Sequence, residues 1–346
     1  MKIAALGGGH GLANLLTGLR GLSSSDVTVA GIVTVSDNGG SSGRIAREHP
    51  FLPPPGDIRN CLTALAGNHP VAQAFEVRFP GEGPLGGHVV GNLVLAALAL
   101  KNGGDIALAA SEIARALAVG VSIYPSSDAP LTLCAECLDG AVYRGEVEIR
   151  GRARRSPIRR VWIESSVPEK PVSAHANAVA ALADADLIVL GPGSLYTSLI
   201  PNLLLPEIRE AIRLSPARKV YVANLMTEPG ETDGMGVADH VRAVILHGRF
   251  PLDAVVVSTT VLDDDEALPY NRTGAAPIRF RRPYDDMFSA GSPIVVTEDL
   301  AEVVSPGRDG RNVIRHCPEA LARVLDGLAP ASYGEGVLNG RTGRSA

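Results

Sequence analysis

The stretch ADLIVLGPGSLYTSLIPN, Ala185–Asn202, decides how the rest of the chain is read. Leu187–Leu190 is a short apolar run without alternation, which predicts a strand buried on both faces. Gly191-Pro192-Gly193 follows as a turn, then the hydroxyl residues Ser194, Thr197 and Ser198, then a segment able to begin a helix. A strand feeding a glycine turn and a hydroxyl-rich helix start makes an anion site. Its free backbone N–H groups and the positive end of the helix dipole point the same way. An ordinary strand-to-helix turn capped by a serine is the alternative reading.

The same pattern occurs three more times. Lys2–Leu6 is an apolar strand followed at once by Gly7-Gly8-Gly9-His10-Gly11. Leu12, Leu15, Leu16, Leu19 and Leu22 then recur at helical spacing. This strand-turn-helix opens a dinucleotide or phosphate fold, although the third glycine of the strict fingerprint falls on Leu12. Val27–Val35 is a strand rich in β-branched residues that runs into Ser36-Asp37-Asn38-Gly39-Gly40-Ser41-Ser42-Gly43-Arg44. Such a loop can wrap a polar ligand or simply be solvated, and Asp37 stands where a dinucleotide fold places its ribose acid. Lys219–Ala223 is a strand leading into Asn224-Leu225-Met226-Thr227-Glu228-Pro229-Gly230-Glu231-Thr232-Asp233-Gly234. Open parallel sheets bind ligands at the carboxyl edge of their strands, so four polar glycine loops at that edge predict a binding cleft there.

Two further segments belong with them. After Pro53-Pro54-Pro55, Gly56-Asp57-Ile58-Arg59-Asn60 opens a helix carrying Leu62 and Leu65, with Asp57, Arg59 and Asn60 as caps, ion pairs or ligands. Gly86-Gly87-His88-Val89-Val90-Gly91-Asn92 precedes the apolar helix Leu93–Leu100, which is expected deep in the fold. His88 is either a base or phosphate donor or a histidine satisfied by backbone. Asp105–Ala118, Ser173–Ala183, Glu207–Leu214, Gly236–His247 and Val313–Leu328 also read as helices, the last with Arg315 and His316 near its start. Ala254–Thr259 and Ile294–Thr297 read as strands.

The character changes over Ser122–Ser165. Short alternating segments flank an Asp139-Gly140 turn, which predicts an antiparallel hairpin insertion at about 122–165 on an otherwise parallel sheet. It carries Arg150, Arg152, Arg154, Arg155, Arg159 and Arg160, either a solvated face or a surface for an acidic partner. Cys134 and Cys137 have CxxC spacing but no second pair, so no metal site is assigned. Asp263-Asp264-Asp265-Glu266 is an acidic loop read as cap or solvated turn.

The chain has 346 residues, 45% of them hydrophobic, enough for one large core, and residues 1–330 are taken as a single domain. Residues 331–346 read as a disordered tail. A net charge of −5 argues against nucleic acid as a partner. No apolar run approaches the length of a membrane span, and the first residues read as a strand rather than a signal peptide, so the expectation is a cytoplasmic protein with reduced thiols and no membrane insertion. A homodimer is left open by exposed sheet edges and apolar helices.

Seven ordered motifs, GGGHGL, VTVSDNGGSSGR, PPGDIRNCL, GHVVGNL, LIVLGPGSLYTSLIPNLL, NLMTEPGETDG and IRH, together resemble the YvcK-type family of gluconeogenesis factors, relatives of the 2-phospho-L-lactate transferases of the CofD type. The resemblance runs from Met1 to about Leu328. It implies a three-layer α/β/α Rossmann-like fold and binding of a UDP-sugar or related nucleotide. It also implies a regulatory role in cell-wall morphogenesis and growth on gluconeogenic carbon. Carried onto this sequence, it places Gly8, Gly9, His10 and Leu12 along the nucleotide and Asp37, Gly40, Ser41 and Ser42 on a second wall. Asp57 and Asn60 reach the ligand from their helix start. Gly193, Ser194, Tyr196 and Thr197 hold the phosphates beside Asn224, and Arg315 supplies a cation. Two departures stand out: the family's acidic pair is Asp37-Asn38 here, and its RHD is Arg315-His316-Cys317. A CofD-type transferase is the alternative function. It would need Mg2+, for which Asp37 and Asp57 are the available ligands. A nicotinamide-dependent dehydrogenase is a third reading, disfavoured by Leu12.

Overall fold

Alternate residues of Lys2–Gly7 (β1) face opposite cores, and this sets the layering. Ile3 and Ala5 join one buried cluster, while Ala4 and Leu6 join the other. In the computed structural model the described residues are 1–22, 27–152, 156–167, 170–261, 270, 273–278, 280, 293–304 and 313–329. Seven parallel strands form the central sheet: β1, Thr28–Val33 (β2), Ser122–Pro125 (β3), and then, after an insertion, Leu187–Leu190 (β7), Arg218–Val222 (β8), Ala254–Ser258 (β9) and Ile294–Glu298 (β10). Their spatial order is β10-β9-β8-β7-β1-β2-β3. Chain order therefore reverses between β1 and β7, the switch point at which doubly wound sheets bind ligands.

On the first face lie Gly9–Gly21 (α1), Gly56–Ala66 (α3), Val90–Lys101 (α5) and Ile106–Ala116 (α6), whose leucines and alanines pack on Ile3, Ala5, Val29 and Val189. The C-terminal helix Pro318–Gly327 closes this layer against α1. A Cβ on Gly18 would lie 2.2 Å from the Pro318 carbonyl oxygen, so the two helices meet backbone to backbone. Ala176–Ala183 (α8), Pro206–Leu214 and Val237–Gly248 cover the other face through Leu182, Ile208, Ile212, Val241 and Val244.

The expected insertion is split in two. Ser122–Pro125 pairs in parallel with β2 (Ala30 opposite Ser122) and belongs to the central sheet as its edge strand, where the Pro125 nitrogen needs no partner while the Ser126 N–H still donates to the Val33 carbonyl at 2.7 Å. The antiparallel part is a separate three-stranded sheet of Leu131–Cys137 (β4), Val142–Arg144 (β5) and Ile158–Ser165 (β6), with the Asp139-Gly140 turn joining β4 to β5. A short helix, Glu146–Gly151 (α7), leaves β5. Cys134 and Cys137 are buried free thiols in β4. Arg159 and Arg160 both pair with Glu136 on the exposed face of this sheet.

The second correction concerns the chain end. Val313–His316 is a strand, not the start of a helix; it forms an antiparallel pair with Ala301–Val304. The helix begins only at Pro318, because proline fits the first helical turn, where its missing N–H costs nothing. The expected helix over Ser173–Ala183 likewise starts at Ala176. The acidic run 263–266, Arg154, Arg155 and the tail after 330 fall outside the described residues.

Candidate functional site

The four polar loops follow β8, β7, β1 and β2, which are neighbours in the sheet, so they stand side by side along one edge. A cavity of about 1000 Å3 opens between α1, α3 and the loop that follows β2. His10 from α1, Asp37, Gly40-Ser41-Ser42 from Gly40–Glu48 (α2), Asp57 and Asn60 from α3 and Arg315 all line it. Four helices, α1, α2, α3 and α5, begin at or beside this cavity, and in none of them does the N-cap residue's own side chain cap the helix, although the Gly9 N–H of α1 goes to Asp57. By contrast, α6 is capped by Asp105. An uncapped helix start leaves N–H donors and positive dipole ends for a bound anion.

Two carboxylates share the cavity with these donors. Asp37 Oδ1 accepts the Gly39 N–H at 2.7 Å. Asp57 accepts the Gly9 N–H and is approached by the Asn60 side-chain amide at 3.5 Å. Burial pushes the Asp57 carboxyl up to about 6, and the negative charge of Asp37 pushes the same way. The Gly9 and Asn60 hydrogen bonds and the Arg59 charge oppose it. Glu146, on α7, is pushed up to about 7 by burial and by Asp37, against the pull of Arg150. Nothing in the sequence singled out Glu146. It reaches this position because Asn38 Oδ1 accepts the Val147 N–H at 3.0 Å and so caps α7 against the Asp37 loop.

The floor is a hydrogen-bond network. Buried Arg59 donates to Asn92 Oδ1 at 3.1 Å and to Asn60 Oδ1 at 2.7 Å. Asn92 Nδ2 reaches Ser42 Oγ at 3.4 Å. Ser41 Oγ accepts the Val89 N–H at 3.2 Å and lies 3.2 Å from His88 Nδ1. Burial and the Arg44 charge hold the His88 imidazole below its usual range, so the ring is neutral at pH 7 and can accept the Ser41 proton.

The other residues singled out from sequence lie beside the cavity rather than on its lining. Gly8 and Gly9 join β1 to α1 directly under Asp57, and Leu12 is buried in the core. The Gly193 N–H and carbonyl are clamped by the Asn224 side-chain amide at 3.2 and 2.8 Å. Ser194 donates to Glu228 at 2.5 Å, and Thr197 donates to buried Glu231 at 3.0 Å. Tyr196 is buried within a π-helical turn, Leu195–Leu199. Burial and the neighbouring Glu228 raise the Glu231 carboxyl, and Arg150 faces it at 3.5 Å. The lining also contains Asn14 and Thr17 on α1, Glu76, Arg78 and Tyr270, which the sequence reading passed over. Asn14 and Thr17 sit one turn apart, on a helix read only for its leucines. Among the described residues no cluster of three or more His, Cys, Asp or Glu side chains could hold a metal, and no helix is long and apolar enough to cross a membrane.

Comparison with known proteins agrees with the fold. The family model for the 2-phospho-L-lactate transferase CofD matches residues 3–296. The gluconeogenesis factor of Bacillus subtilis is 42% identical over 326 residues, covering 94% of this chain and 96% of its own. A relative in Deinococcus radiodurans is also 42% identical, over 327 residues, and this chain spans only 65% of that protein's length. A crystal structure of a UPF0052 family member from Bacillus halodurans superposes with a TM-score of 0.83 at 36% identity, covering 94% of this chain and 99% of that one. The chain therefore belongs to the CofD family, alongside the proteins named gluconeogenesis factor.

Proposed function

We propose that the chain binds a UDP-sugar or related nucleotide with the diphosphate over the starts of α1, α2 and α3, and that it acts as a cytoplasmic regulator rather than a catalyst. On this reading the bound nucleotide-sugar reports metabolic state to cell-wall morphogenesis and to growth on gluconeogenic carbon. The observation that carries the reading is the convergence of helix starts, with those of α2 and α3 uncapped, on one polar cavity large enough for a nucleotide. The shared name of the relatives supports the metabolic half.

A transferase is the second reading, favoured by the Asp37–Asp57 pair and by the description of the family model. Asp37 and Asp57 fit a magnesium ion that completes its shell with water and ligand phosphates, since such ions take one or two carboxylates. When bound, the metal would neutralise charge on those phosphates. The protein's own part is to hold Asp57 through Gly9 and Asn60. Calorimetric titration with UDP-N-acetylglucosamine, with and without magnesium, followed by product analysis, separates the readings. Saturable binding without turnover supports the regulator, and turnover supports the transferase. No heat at millimolar ligand, with protein shown to be folded, counts against both.

A further inference from the structure

The direction of each hydrogen bond under the cavity is fixed by Arg59. A guanidinium donates and never accepts, and it does not lose its proton in a protein. Its hydrogen bonds to Asn92 and Asn60 therefore both meet amide oxygens, which turns the NH2 group of each asparagine away from it. For Asn92 that NH2 group meets Ser42 Oγ. The Ser42 oxygen thus receives a proton and must send its own elsewhere. Ser42 is 3% exposed, and no acceptor for its proton is present among the described residues. Its free direction is the cavity that it lines. Ser41, its neighbour, differs, because its hydroxyl already has side-chain and backbone partners in His88 Nδ1 and the Val89 N–H.

We propose that Arg59, Asn92 and Ser42 form a one-way donor relay that makes the subsite at the start of α2 specific for an acceptor-only group, a phosphate oxygen of the ligand. Arg59 and Asn92 are positioning residues, and Ser42 is the contact. The N–H groups of α2 are donors as well, and the acceptor beside them, Asp37, already takes the Gly39 N–H. A ligand hydroxyl can accept there too, but it brings no negative charge to the helix start, whereas a phosphate does. A phosphate oxygen leaves nothing unpaired. This inference rests on the nucleotide-binding reading for the identity of the ligand, but not for the polarity of the subsite.

Asn92→Asp is the decisive variant. It keeps the shape of the side chain and gains an ion pair with Arg59, so the fold is retained. A carboxylate, however, accepts from Ser42 instead of donating to it, and draws the hydroxyl proton away from the cavity. Binding of UDP-N-acetylglucosamine and of inorganic pyrophosphate is measured by calorimetry for wild type, N92D, S42A and the double variant, with melting curves as the check on folding. N92D and S42A should each weaken both ligands about tenfold, the loss of one hydrogen bond to a charged group. N92D should cost nothing further in the S42A background. A merely structural Asn92 would cost affinity in both backgrounds, and that result overturns the relay, as does N92D binding like wild type. If wild type binds pyrophosphate in this relay-dependent way but no nucleotide-sugar, the relay stands and the nucleotide-sugar reading falls. If it binds neither, both fall.

Discussion

The Asp57 carboxylate accepts the backbone N–H of Gly9, so the start of α3 holds the start of α1. The contact is close enough to dictate sequence. A Cβ on Gly8, whose backbone is extended, would lie 2.7 Å from Asp57 Oδ2 and 2.7 Å from Thr34 Cγ2. Asp57 thus occupies the place an anion takes at a helix N-terminus, within reach of any phosphate bound over α1.

Gly8→Ala should therefore act on both stability and binding. Overpacking of this kind typically costs about 1–3 kcal/mol. Denaturant melts should show that loss, and titration of the folded fraction should show weakened nucleotide binding, because Asp57 and the first turn of α1 are pushed apart.

Asp57 also sets a pH dependence. Its carboxyl is raised from 3.8 to about 6, so the folded state holds this proton more tightly than the unfolded chain. Its contribution to stability is full below about pH 4 and is lost as pH rises through 6, a change of about 3 kcal/mol at most. Asp57→Asn keeps an acceptor for Gly9 without the charge. It should raise stability at pH 8 relative to wild type and flatten the slope between pH 4 and 6, as read from denaturation at several pH values. Glu146 is shifted in the same direction, from 4.5 to about 7, and will leave a comparable residual slope up to about pH 7.

Thr197 and Ser42 should separate cleanly. The Thr197 hydroxyl is spent on Glu231, at 3.0 and 3.3 Å from its two oxygens. Thr197→Val leaves a buried carboxyl short of a donor and should destabilise the fold by about 1–3 kcal/mol. Nucleotide affinity should stay near the wild-type value, whereas Ser42→Ala should do the reverse. Melting curves and titrations of the two variants check this.

Much of the fold was legible because it rests on local signals. Apolar runs leading into polar, glycine-containing loops located β1, β2, β7 and β8, and their placement on one sheet edge follows from parallel pairing. The segment Val313–His316 was misread because Val, Ile, Arg and His fit either a helix start or a strand, and only pairing with Ala301–Val304 decides between them. At the site, His10, Asp37, Ser41, Ser42, Asp57, Asn60 and Arg315 were nameable, and they share a cavity. Glu146 and Asn92 were not among the named ligands, because their placement depends on the Val147–Asn38 and Asn92–Arg59 contacts, which span 109 and 33 residues of sequence. Ser194 and Thr197 carried the letters of a phosphate loop, but which acceptor a hydroxyl meets is a tertiary fact, and here each meets a glutamate.

A crystal structure of the complex with UDP-N-acetylglucosamine tests the central claim most directly. The account places the diphosphate within hydrogen-bond distance of the Gly40–Ser42 backbone and of Ser42 Oγ, close to Asp57. Diphosphate density seated elsewhere, for instance on Gly191–Ser194 with the α2 start left empty, would contradict it.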